Sequence, residues 1–238
     1  MSHFCLPSGM HRSDITKVAP LVRRRVRVLK GDALFHPGDA ADAVYAVRVG
    51  TIKTCITTAS GRNQVVTFHL PGEIIGLESL VQVTHACRAT ALEDTSLCLI
   101  PSDVLKAQAV HIAPLRNRLL EAFSHEARHQ RDQAVMLGQM TAEERIATFL
   151  LSLSERLSAR GFAASEFLLR MSREDIGSHL GLKLETVSRI LSRMGGAGLL
   201  RVRARNVAIL DRDMLEHVSQ GLRPLLPRTQ PQAPRMTM

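Results

Sequence analysis

Residues 172–194, SREDIGSHLGLKLETVSRILSRM, decide the fold, because they read as two short helices that meet at a glycine. Ser172 can cap the first helix, and Glu174 and Asp175 sit in its first turn, where the helix dipole favours acids. Ile176 and Leu180 recur four apart as its buried stripe, and Gly181 supplies a turn that a longer side chain would block. The second helix begins near Leu184–Glu185 and buries Val187, Ile190, Leu191 and Met194 at helical spacing. Small Gly177 falls where the two helices approach closely. This order of small residue, turn glycine and apolar stripe is the helix-turn-helix pattern.

The remaining positions of the second helix then gain a chemical meaning. Lys183, Glu185, Thr186, Ser188, Arg189 and Arg193 stay on its open side. Arginine pairs bidentately with guanine, glutamate accepts from the amino group of cytosine, and serine bonds either kind of base edge. A polar helix face is by itself usually only a solvated surface. Here the glycine spacing and the basic hairpin that follows favour a base-reading helix. Gly195, Gly196 and Gly198 are expected to break that helix, and LLRVRARNVAIL to form a hairpin turning near Ala204–Asn206. Its Arg203 and Arg205 would meet phosphate.

Charge supports a polyanionic partner. The chain of 238 residues carries a net charge of +9. Residues 170–205 hold eight Lys/Arg against three acids, so more than half of the excess lies around the proposed reader. Aromatic residues are few and Trp is absent, which argues against a base-stacking platform for single strands. No apolar run approaches the ~20 residues needed to cross a bilayer. The N-terminus has no apolar core followed by a cleavage site. Four cysteines at irregular spacing, Cys5, Cys55, Cys87 and Cys98, suggest no disulfide framework. The expected location is the cytoplasm, away from any membrane.

Upstream of the reader the pattern changes twice. Residues 21–110 read as short strands with regular turns, including a hairpin turning near Ser60–Gly61, which indicates a β-roll or sandwich. The run Arg23, Arg24, Arg25 and Arg27 is expected to be a solvated strand edge. Residues 111–140 are helical, and Leu120, Phe123, Ala127, Gln130, Ala134, Leu137 and Thr141 follow a 3,4 repeat that defines a coiled-coil seam. Polar Gln130 and small Ala127 and Ala134 make the middle of that seam weak, so association is expected to be marginal. Residues 141–225 form the DNA-binding domain. It opens with the helix TAEERIATFLLSLSERLSARG, whose Ile146, Phe149, Leu150, Leu153 and Leu157 share a face. Residues 1–20 form an N-terminal segment, and the Pro-rich residues 226–238 are expected to be a disordered tail. The fold class expected is α+β: an N-terminal β-roll, a long dimerisation helix and a C-terminal winged helix-turn-helix.

The string LETVSRILSR resembles the Crp-Fnr family of bacterial transcription regulators, in particular its FNR branch. AEER and the stretch LFHPGDAADAVYAVRVGTIK extend the resemblance over about residues 20–225. It implies a cyclic-nucleotide-binding-like roll, a homodimer, double-stranded DNA with a palindromic TTGAT-like site, and RNA polymerase as partner through roll loops such as Gly76–Glu78. Glu185 would read cytosine, Ser188 the thymine side, and Arg189 guanine with the adjoining backbone. Nucleotide binders of the family carry Gly-Glu-Leu in the phosphate loop. Here the run is Gly76-Leu77-Glu78, so Leu77 replaces the acid that holds ribose, and Arg88-Ala89 stands one position late; a cyclic nucleotide is not expected. FNR-type sensors hold a 4Fe-4S cluster on three N-terminal cysteines and one in the roll. Cys5 and Cys98 match two of these positions, and the other two ligands are missing. Either the start lies further upstream or this is a relative without the cluster.

Two alternatives stay open from sequence. One is a regulator that does respond to a cyclic nucleotide. The other is a zinc metallohydrolase, because His125-Glu126-Ala127-Arg128-His129 spells HExxH, with Glu143 or Glu144 the nearest candidate third ligand. The first reading is a regulator, with no enzyme activity.

Overall fold

A computed structural model of the chain describes residues 18–223. The N-terminal segment up to residue 17, with Cys5, and the expected tail 226–238 lie outside the described residues.

The first half is a roll of two four-stranded antiparallel sheets. One has the order β1 (Arg24–Val28), β8 (Thr95–Pro101), β3 (Ala43–Val49) and β6 (Ile74–Ile75). The other runs β2 (Ala33–Phe35), β7 (Arg88–Ala91), β4 (Ile52–Thr57) and β5 (Asn63–His69). Val28, Phe35, Val47, Ile52, Ala89 and Leu97 close the space between the sheets. The arginine run lies on edge strand β1, whose Arg24 and Arg25 are exposed, as expected of a solvated rim. The β4–β5 hairpin turns through residues 58–62, around Ser60 and Gly61.

Helix α1 (Ser102–His111) was not anticipated, since residues up to 110 read as roll. Its apolar side chains point in several directions: Leu105 is buried while Val110 is 70% exposed, so no helical stripe is legible. Extended Ile112 then breaks the chain, and Pro114 opens α2 (Ala113–Gln139) in its first turn, where a missing N–H does no harm. Leu115, with Leu105, Val44 and Ile100, fastens the start of this helix to the roll.

Thr141 caps α3 (Ala142–Ser158) in a reciprocal capping box with Glu144. There follow β9 (Glu166–Leu168), α4 (Arg173–Leu180), α5 (Leu184–Gly196), β10 (Leu200–Arg203), β11 (Asn206–Ile209) and α6 (Arg212–Ser219). Strands β9, β11 and β10 make a three-stranded antiparallel sheet. Gly195 and Gly196 do not break α5, contrary to expectation; the turn comes at Ala197–Gly198, where Gly198 has φ +81°. Two glycines disfavour a helix by roughly 1 kcal/mol each. The burial of Ile190, Leu191 and Met194 outweighs that penalty.

One apolar core continues from the roll into the second half. Cys55, Val65, Phe68 and Leu70 of the roll belong to the same cluster as Phe149 and Leu150 of α3 and Ile176 and Leu180 of α4. The second half of the chain is therefore packed onto the second sheet.

Candidate nucleic-acid interface

Ser172 and Asp175 cap α4 reciprocally. The Asp175 N–H donates to Ser172 Oγ at 3.0 Å, and the Ser172 N–H donates to Asp175 Oδ2 at 3.0 Å. Gly181 ends the helix in the left-handed region, at φ +65°. Gly177 meets the turn itself: a Cβ there would lie 2.5 Å from the Leu182 carbonyl oxygen. The small residue is thus required by backbone packed against backbone. Val187, Ile190, Leu191 and Met194 anchor α5 beneath.

That anchoring leaves Lys183, Glu185 and Arg189 exposed, with Thr186 and Ser188 half-buried beside them. Arg193 is also exposed but pairs with Glu143 at the start of α3. The wing follows. Val202 pairs with Val207 and Arg203 with Asn206 across β10 and β11, and Ala204 turns the corner at φ +52°, uncommon for a residue with a Cβ. Arg201, Arg203 and Arg205 all project into solvent. The expected reader residues and wing arginines are thus left open to solvent.

Three contributors were not singled out from sequence. Arg173 donates to the Ala204 carbonyl at 3.5 Å, while its buried Nη1 has no hydrogen-bond partner. Arg145 of the AEER run donates Nε to the Met140 carbonyl, Nη1 to that of Leu180 and Nη2 to that of Leu137, each at 2.9 Å. One guanidinium so satisfies the last carbonyls of both α2 and α4. His179 is buried, its Nδ1 3.3 Å from the Val65 carbonyl and its ring 5.2 Å from that of Phe68. Burial holds this imidazole down at about 4. Only long-range contacts mark these roles, so no local sequence signal reveals them.

The domains also meet through charge. Glu73, in the turn after β5, binds Arg156 at 2.7 Å and Arg160 at 2.9 Å. Burial alone would raise the Glu73 carboxyl, yet the two guanidinium groups outweigh it and hold it at about 2.

The HExxH string lies on α2, and His125, Glu126 and His129 line a cavity of about 600 Å³ with Thr67, His69 and His179. His129 Nε2 is 3.0 Å from Thr67 Oγ1. Glu144 is engaged in its capping box and Glu143 with Arg193, so neither offers a third ligand. Among the described residues no group of three His, Cys, Asp or Glu is placed to hold a metal.

The cysteines do not assemble a four-thiolate site among the described residues. Cys98, on β8, is buried and disulfide-bonded, a bond that the irregular cysteine spacing did not suggest. Cys55 and Cys87 are free thiols associated with the other sheet. Burial raises both, Cys87 to about 12, which makes them poor thiolates. Where the resemblance places an acid for ribose, Leu77 packs with the apolar residues around α1. Glu78 instead lies 2.8 Å from His85 Nδ1, and His85 stacks on Phe35.

An anchored helix with an open polar face, a basic wing and a sensor-like roll together define a winged helix-turn-helix DNA-binding protein. Comparison with known proteins agrees. Residues 144–218 match the model of the Crp-like helix-turn-helix domain, and residues 25–109 that of the cyclic nucleotide-binding domain. The transcriptional regulatory protein btr of Bordetella pertussis is 42% identical over 89% of this chain and 87% of its own. An anaerobic regulatory protein of Haemophilus influenzae is 38% identical over 89% of this chain and 82% of its own. The solved structure of FixK2 from Bradyrhizobium japonicum superposes with a TM-score of 0.76 at 35% identity, covering 82% of this chain and 96% of that one. The chain belongs to the Crp-Fnr family of transcription regulators, and to its FNR-like branch. It is a DNA-binding regulator of transcription and not an enzyme.

Proposed function

We propose that the protein is a homodimer in the cytoplasm that reads a palindromic, TTGAT-like operator and responds to oxygen or redox state. The observation that carries this reading is the open face of α5, where Glu185 and Arg189 stand exposed over a fully buried apolar stripe, flanked by the arginines of the wing. Glu185 reads cytosine, Ser188 faces thymine, and Arg189 binds guanine and the adjoining backbone. Lys183, Thr186, Arg193, Arg203 and Arg205 hold the surrounding phosphates.

The seam supports the dimer. Leu120 and Phe123 are 61% and 38% exposed on α2, and Ala127, Gln130 and Ala134 lie along the same line, with Leu137 half-buried. Two readers brought together there would enter successive major grooves roughly 34 Å apart. RNA polymerase is the protein partner, met through the roll loop that begins at Gly76–Glu78, where Val81 and Val83 project almost fully into solvent.

The name of the Haemophilus relative suggests an anaerobic signal. Cys98 is the described residue that fits a redox role, as the one described cysteine joined in a disulfide. Leu77 offers no side-chain acceptor to a ribose, which argues against a cyclic nucleotide as the effector. Selection of bound duplexes from a random pool, with and without air, tests the whole reading. A palindrome enriched under one condition supports it, and a pool that stays random under both sinks it. Iron and sulfide analysis of protein purified without air decides whether a cluster accompanies Cys98.

A further inference from the structure

Strand β5 is the edge of its sheet, and an edge strand leaves backbone N–H and C=O groups without strand partners. Alternate residues of an antiparallel strand turn these groups outward, and on β5 two of them are Asn63 and Val65. The last turn of α4 meets both. The Val65 N–H donates to Ser178 Oγ at 2.9 Å, and Ser178 Oγ donates to the Asn63 carbonyl at 3.0 Å. The Gln64 amide donates to the Ser178 carbonyl. At the other end of α4, Lys53 Nζ of β4 lies 2.5 Å from Asp175 Oδ1, the same carboxylate that closes the capping box.

We propose that Ser178 is a positioning residue: by closing the open edge of β5 it sets the angle at which α5 is presented relative to the dimer helix α2. Held at both ends, α4 cannot roll on the sheet. In the turn between the two helices the Leu182 N–H donates to the Gly177 carbonyl at 2.8 Å, which ties the start of α5 to α4, so any roll of α4 would swing the reader. In a symmetric pair each swing occurs twice and changes the distance between the two reading faces. Ser178 therefore governs which separation of half-sites is bound best, rather than which bases are read. This inference rests on the dimer reading above.

The test titrates the full-length protein against a single half-site duplex and against palindromes whose half-sites are moved apart one base pair at a time. The wild-type chain is expected to prefer one spacing. Ser178→Ala is expected to keep the wild-type affinity for the single half-site and to lose about fivefold of the spacing preference. Ser178→Thr keeps the hydroxyl and is expected to restore the preference. A Ser178→Ala protein with the wild-type spacing profile overturns the proposal. If Ser178→Ala also loses the single half-site, Gln64→Ala decides, because it removes a hold on Ser178 from the strand side and alters no residue of α4 or α5: a flattened profile supports the proposal and an unchanged one overturns it. A wild-type chain with no spacing preference would overturn the dimer reading, and this inference with it.

Discussion

At the scale of single residues, the two helices of the helix-turn-helix hold side chains with different duties, Arg189 exposed on α5 and His179 buried on α4. Arg189 is exposed and placed to pair with a base, so Arg189→Ala should weaken operator binding by about 1–3 kcal/mol and relax specificity at one position. A uniform loss on every duplex, read by titration against operator variants, would instead mark it as a phosphate contact. His179 works by burial. Its imidazole is held at about 4 against 6.5 for a free one, so folding favours the neutral form. Above pH 6.5 its contribution to stability is complete. As pH falls below that value the unfolded chain takes up the proton first, and the contribution drains away until about pH 4. The size of the effect is on the order of 3 kcal/mol, and the neighbouring His129, lowered chiefly by burial as well, adds in the same direction. His179→Gln, which keeps a donor for the Val65 carbonyl, should flatten the fall of Tm between pH 6.5 and 4.5. Parallel melting curves for the two proteins would contradict this account.

At the scale of elements, the joint between α4 and α5 is the least forgiving. In an open helix Gly177→Ala would help by up to roughly 1 kcal/mol. Here the new Cβ meets the Leu182 carbonyl oxygen at 2.5 Å, and that oxygen is backbone that cannot swing aside. The substitution is expected to destabilise by about 2 kcal/mol and to weaken operator binding with it. Urea titration checks the first part, and a Gly177→Ala chain of equal or greater stability would mean that the two helices pack otherwise. The glycine pattern was legible in sequence because turn chemistry is local. The helix of Ser102–His111 was not, since its apolar residues do not keep to one side.

Across the whole molecule, the roll and the DNA-binding domain share one core and one buried set of charges. Glu73 neutralises Arg156 and Arg160 together across the domain boundary, so Glu73→Gln leaves two guanidinium groups side by side at the end of α3 without their carboxylate. The expected loss is about 3 kcal/mol in urea unfolding, and a neutral result would show that the two arginines find water instead. The seam is a second weak point. Gln130 and the two alanines bury little apolar area, so sedimentation should show a dimer that dissociates on dilution and shifts with air or reductant. A pair that stays closed at nanomolar concentration under all conditions would remove this expectation.

Local chemistry by itself determined the helix-turn-helix, its caps and turn glycine, the polar face of α5, the basic hairpin and the strand-rich first half, because each depends on residues close in the chain. The helix of Ala113–Gln139 was legible for the same reason, although Thr141, the last position of its 3,4 repeat, lies beyond it as the cap of α3. Tertiary structure alone decided that Gly195 and Gly196 remain helical, since burial of the stripe beside them outweighs propensity. It also decided that Arg145 closes two helix ends, that Glu73 faces two arginines, and that Ser178 caps the edge of β5. Those partners lie far apart in sequence, from Leu180 across to Arg145 and from Ser178 back to Val65. Periodicity carries no record of such pairs; only the packing of one domain on the other brings them within hydrogen-bonding distance.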